Sequence, residues 1–131
     1  MPLEIGGTPI PKTFEETLIQ IRDRIKELVK QYGSLSRWGR PYLWSLKEVA
    51  LIYWLNTKLG ISLDRLAAFL GVDKTSLYKI VRKIERESKV SYYDPETKTV
   101  KTEYVSPQDL VATIEEELQP KAKMKITDVF Q

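Results

Sequence analysis

Eight side chains able to meet a polyanion or the edges of bases fall within one short segment: Lys74, Thr75, Ser76, Tyr78, Lys79, Arg82, Lys83 and Arg86. On a helix turning about 100° per residue, Leu77, Ile80, Val81 and Ile84 gather on one side. Thr75, Tyr78, Lys79, Arg82 and Arg86 then lie opposite, with Lys74 in the first turn and Lys83 on the flank. Lys74, Thr75, Ser76 and Tyr78, near the amino end, suit base edges in a major groove. Lys79, Arg82, Lys83 and Arg86 suit phosphates. An ordinary solvated helix could carry the same charges, so the surrounding elements must decide what the face is for.

A helix is predicted from Ser62, a capping residue, with Leu63, Leu66, Ala67 and Leu70 on one side. Gly71 breaks it, because a residue lacking a β-carbon turns through positive φ at little cost. Asp73 can cap the next helix, 74–88. Ala67, four residues before the glycine, leaves room for two helices to cross steeply. Cap, small residue, glycine, cap and cationic helix together make a helix-turn-helix over 62–88, which points to DNA.

The segment GVDKTSLYKIV resembles the turn and recognition helix of resolvase, invertase and transposase DNA-binding domains, and of many bacterial and archaeal regulators. Ala67, Gly71, Val72, Leu77 and Ile80 stand at that group's structural positions. The resemblance implies that Asp73, Lys74, Thr75, Tyr78, Lys79 and Arg82 fall where such proteins touch DNA. Asp73 departs from the Ser or Thr often found there, which suits it to capping. The similarity spans about one fifth of the chain, and implies a fold and a ligand class rather than a biological role.

Composition narrows the function classes. With 131 residues and 42% hydrophobic content, the chain can form one domain with a true core, with or without attached arms. It has no cysteine and no histidine, so disulfides, thiolate metal sites and the commonest general base are excluded. No phosphate-cradling glycine loop or metal-ligand cluster is present, and turn chemistry explains Asp94 and Glu96. We therefore expect no enzyme, no cofactor and no small-molecule ligand. No signal peptide or spanning apolar run is evident, so no membrane association and a cytoplasmic location are expected. The net charge of +3 is uneven: residues 32–47 and 72–101 each carry +3, and 102–131 carry −3.

Residues 1–12, with paired glycines and three prolines, read as a flexible arm. Thr13 and Glu16 have capping-box spacing and would open a helix over 13–32. Its Phe14, Leu18, Ile21, Ile25, Leu28 and Tyr32 follow a short heptad rhythm, which serves packing within the domain or a dimer seam. In 33–44, Arg37 and Arg40 lie among Trp38, Tyr42 and Trp44, so the arginines are candidates for backbone or minor-groove contact. Ser45 and Glu48 open a helix to about 59 that is apolar around nearly its whole circumference, hence a central post.

After the recognition helix, 89–93 and 98–105 alternate like strands around a turn at 94–97. This hairpin is the expected wing over 89–105, with Lys98 and Lys101 as candidate phosphate contacts. Ser106 and Pro107 open a last helix, 107–119, with Glu115, Glu116 and Glu117 on its polar face. Residues 120–131 read as a tail.

The expected fold is mainly α: a winged helix-turn-helix domain over 13–119, with a tri-helical core, a β-hairpin wing and flanking amino- and carboxy-terminal helices. The expected function is sequence-specific binding of double-stranded DNA, as a transcriptional regulator or a plasmid or viral protein. Two other roles fit the same residues: a DNA-docking domain of a larger recombinase or transposase, and a protein-interaction domain of helix-turn-helix shape. A homodimer would use helix 13–32 or helix 107–119.

Overall fold

A computed structural model describes residues 3–32 and 44–118. The element order is β1 (Glu4–Ile5), β2 (Thr8–Pro9), α1 (Lys12–Tyr32), α2 (Leu46–Thr57), α3 (Leu63–Leu70), α4 (Lys74–Glu87), β3 (Lys89–Asp94), β4 (Thr99–Tyr104) and α5 (Pro107–Leu118). The fold is mainly helical, with two separate two-stranded hairpins.

α2 is the post around which the rest assembles. The capping box forms as read: Glu48 N–H donates to Ser45 Oγ at 3.1 Å, and Ser45 N–H to Glu48 Oε1 at 3.0 Å. Seven consecutive residues, Val49 through Leu55, are buried, so a helix apolar on every side is indeed covered on every side. α5, β3 and α4 all contact it. α1 meets it through an edge-on Phe14–Trp54 pair with centroids 5.7 Å apart. Arg24 adds a two-pronged bond to Glu48, both arms 2.8 Å. Glu48 thus caps its own helix and clamps α1 to it.

The apolar stripe of α1 is used inside its own chain: Phe14, Leu18, Ile21 and Ile25 are all buried in the core. Those four side chains therefore serve packing within the domain, the first of the two uses the rhythm allowed. Thr13 is not the cap, because α1 starts at Lys12 and places Thr13 within its first turn.

The amino-terminal segment departs from the flexible arm expected. Residues 4–9 form a hairpin with Ile5 opposite Thr8, turning on Gly6 and Gly7 at φ +58° and +82°. Two consecutive positive-φ residues are what a tight two-residue hairpin turn requires. Ile5 and Ile10 are buried, and Gly6 C=O accepts a bond from Arg65 of α3. The apolar residues on either side of the turn outweigh the loop-like composition.

α3 and α4 follow the sequence closely. Ser62 Oγ accepts from Arg65 N–H, and Gly71 ends α3 in the left-handed region at φ +80°. The Ala67 carbonyl accepts from both Gly71 N–H (2.8 Å) and Val72 N–H (3.1 Å), which satisfies the helix end. Asp73 then caps α4. α4 buries Leu77, Val81 and Ile84 and ends at Ser88, itself left-handed at φ +52°.

That turn sends the chain straight into β3, which pairs with β4 from Lys89 opposite Tyr104 to Asp94 opposite Thr99. Val90 anchors the hairpin in the core, whereas all six residues of β4 are exposed. Lys98, expected at the start of a strand, lies in the turn at φ +58°. Ser106 Oγ accepts from Asp109 N–H at the start of α5, whose Leu110 and Ile114 are buried.

Candidate nucleic-acid interface

The residues of α4 divide by angle around the helix into a core side, an outer ridge and two flanks. Thr75, Lys79, Arg82 and Arg86 form the ridge, all exposed. Tyr78 lies on one flank, 46% exposed, and Lys83 on the other. No described element covers Tyr78, Lys79 or Arg82.

Each flank borders a depression. On the Tyr78 side, an open groove of ≈ 410 Å³ lies between α4 and the α2–α3 connection, walled by Asn56, Ser62, Tyr78, Arg82 and Arg86. Glu85 lines it too, so this groove mixes one carboxylate with two guanidinium groups. On the Lys83 side, a cleft of ≈ 100 Å³ separates α4 from β3. Lys79, Lys83 and Lys89 rim it above a floor of Val49, Ile80, Ile84 and Val90, and Lys83 Nζ reaches Ser91 Oγ at 3.4 Å.

Lys89 is a basic residue of this cleft that the sequence pattern did not single out. Its ammonium sits 5.3 Å from the Tyr104 ring centroid and 3.6 Å from Glu87. Bonding to Tyr104 raises its pKa, with Glu87 assisting, so it stays a cation across physiological pH. The missed signal was its place, directly after the end of α4, where the strand returns alongside Lys83.

The remaining candidates differ in how free they are. Lys74 is exposed, 4.0 Å from Asp64 of α3, a separation at which an exposed pair contributes little. Ser76 is committed: its Oγ donates to Asp73 Oδ1 at 2.9 Å while its N–H donates to Oδ2 at 3.2 Å. Its hydroxyl serves the cap rather than the outer surface. Lys101 is likewise occupied, 2.7 Å from Asp94. That bond, with the Glu96 N–H, holds the Asp94 carboxyl below its ordinary range and raises the Lys101 pKa. Lys98 is exposed at the hairpin turn. Arg37 and Arg40 lie outside the described residues, as do Trp38, Tyr42, residue 119 and the 120–131 tail.

Among the described residues, no group of three or more acidic, histidine or cysteine side chains could hold a metal, and no helix is long and apolar enough to cross a membrane. No protein-family model, curated protein or solved structure matches this chain.

Proposed function

We propose that this chain is a sequence-specific double-stranded DNA-binding protein of winged helix-turn-helix type, acting as a transcriptional regulator or as a plasmid or viral DNA-binding protein. One observation carries the reading. α4 presents Thr75, Lys79, Arg82 and Arg86 on a single exposed ridge while Leu77, Val81 and Ile84 lock the opposite side into the core. A rigid cationic rod backed by packed side chains is what a major groove accepts.

In this reading Lys74, Thr75 and Tyr78 face base edges, with Arg82 where the ridge meets the groove. Lys79, Lys83, Lys89 and Arg86 meet phosphates, and Lys98 extends the contact from the hairpin turn. Ser76 and Lys101 are left out because internal partners hold them. Lys83 and Lys89 on either side of one cleft could share a phosphate, with the Ser91 hydroxyl beside them.

Gel-shift titration against a random duplex pool, repeated at several salt concentrations, tests the reading. Log affinity should fall linearly with log salt, and Lys79→Ala should lower the slope by about 1 while weakening all sequences alike. Failure to bind any duplex at low salt, together with a stable complex with another protein, would select a protein-interaction role.

A further inference from the structure

β4 is exposed at every residue, and among the described residues no strand pairs with its outer edge. The hairpin register determines which groups that edge offers. Val105 N–H donates inward to Ser88 O at 2.8 Å, so alternation turns the backbone N–H and C=O of Val100, Thr102 and Tyr104 outward. The same alternation is visible on the other edge: Tyr93, opposite Val100, donates outward to Trp44 O at 2.7 Å. On β3 one outward donor, the Tyr93 N–H, is occupied by Trp44, whereas β4 presents a row of open donors and acceptors beside β-branched and aromatic side chains.

The order of residues along β4 is complementary to itself. Let a second copy lie antiparallel with Thr102 on the two-fold axis. Val100 then faces Tyr104 of the second copy, Lys101 faces Glu103, and Thr99 faces Val105. Every charge meets its opposite, and symmetry repeats each pair. The three residues with outward-facing backbone are the ones that exchange hydrogen bonds in this register. Val100, 58% exposed, and Tyr104, 76% exposed, cover one another on one face.

Neighbouring registers fail. Centring on Lys101 or on Glu103 sets a like charge against itself. Internal bonds also hold the two charged side chains in place, Lys101 to Asp94 at 2.7 Å and Glu103 to the Tyr92 hydroxyl at 2.8 Å. An edge bearing a lysine and a glutamate resists unrelated strands, yet accepts one whose charges run in the matching order.

We infer that β4 is a self-pairing edge through which two copies of this chain join into one four-stranded antiparallel sheet, β3–β4–β4–β3. This association depends on the hairpin alone and stands apart from any role of α4. It also differs from the helix-mediated dimers expected from the sequence.

Sedimentation equilibrium of the full chain over a wide concentration range is the primary test, with a dimer expected. Thr102→Pro removes an outward donor and no backbone bond to β3, losing only the exposed hydroxyl contact of Thr102 with Ser91 at 3.1 Å, so it should give a monomer with an unchanged far-ultraviolet circular dichroism spectrum. Lys101→Glu and Glu103→Lys should each weaken self-association by roughly tenfold or more, since both symmetric pairs become repulsive. Mixing those two variants should restore dimerisation, because a wholly acidic edge then meets a wholly basic one. A monomeric wild type at every concentration overturns the inference, as does a dimer that Thr102→Pro leaves intact.

Discussion

α4 and α5 both lay an apolar stripe against α2, α4 through Leu77, Val81 and Ile84 and α5 through Leu110 and Ile114. Their outward faces are opposite in charge. α4 carries five cations against two carboxylates, and α5 carries four carboxylates and no cation. One carboxylate of α5, Glu117, is spent on Lys47 at 3.2 Å, while Glu115 and Glu116 stay exposed. Packing therefore explains why each helix exists, and charge explains what each can approach. The basic ridge suits a polyanion that the acidic face would repel.

Breaking the packing should affect the two helices alike. Leu77→Ala and Ile114→Ala each remove a fully buried aliphatic side chain and should cost about 2–5 kcal/mol, read by chemical denaturation. A much smaller loss at Ile114 would show that α5 is an accessory rather than part of the core.

Breaking the charge should separate them. Arg82→Ala should weaken duplex binding by ~1–3 kcal/mol and relax preference at one base position, as judged by selection from random duplexes. Glu115→Gln paired with Glu116→Gln should leave affinity unchanged or slightly improved. Weakened binding in that pair would mean that the acidic helix takes part in the complex, against the proposed division.

The cap sharpens the comparison at lower cost. Asp73→Ala should destabilise the fold by about 1 kcal/mol, because the Ser76 N–H loses its partner. Ser76→Ala should alter base preference little, since its hydroxyl already points into the cap. A large shift in selected sequences for Ser76→Ala would place that hydroxyl at the bases after all.

The smallest effect concerns acid. Asp94 has its folded pKa held below the ordinary 3.8 by Lys101 and by the Glu96 N–H. Its contribution is therefore complete above that ordinary value and is lost as pH falls through the lower folded one. Asp94→Asn should flatten this acid loss and change neutral-pH stability only modestly, as followed by thermal melts across the acid range.

Legibility in the sequence followed the range of each interaction. Ser45 with Glu48, Ser62, Gly71 and Asp73 act within a few residues of themselves, and their roles were readable from spacing. The buried run of α2 was readable for the same reason, because apolar residues on every face leave only a buried position. Pairs far apart in the chain were not readable: Arg24 with Glu48, or Gly6 with Arg65. Neither was the choice that Ser76 makes between its cap and the outside, which depends on a rotamer. The amino-terminal hairpin was hidden because Gly6, Gly7 and three prolines outweighed two isoleucines whose burial needs α1 and α3 to be in place.

From the amino acids alone came the caps of α2, α3 and α4 and the separation of oily from cationic residues along α4, since these depend on periodicity and on bonds spanning one turn. Tertiary structure decided which cations are unencumbered, which depressions flank the ridge, and which strand edge is left open. Those properties arise where distant segments meet, and no local pattern encodes the meeting.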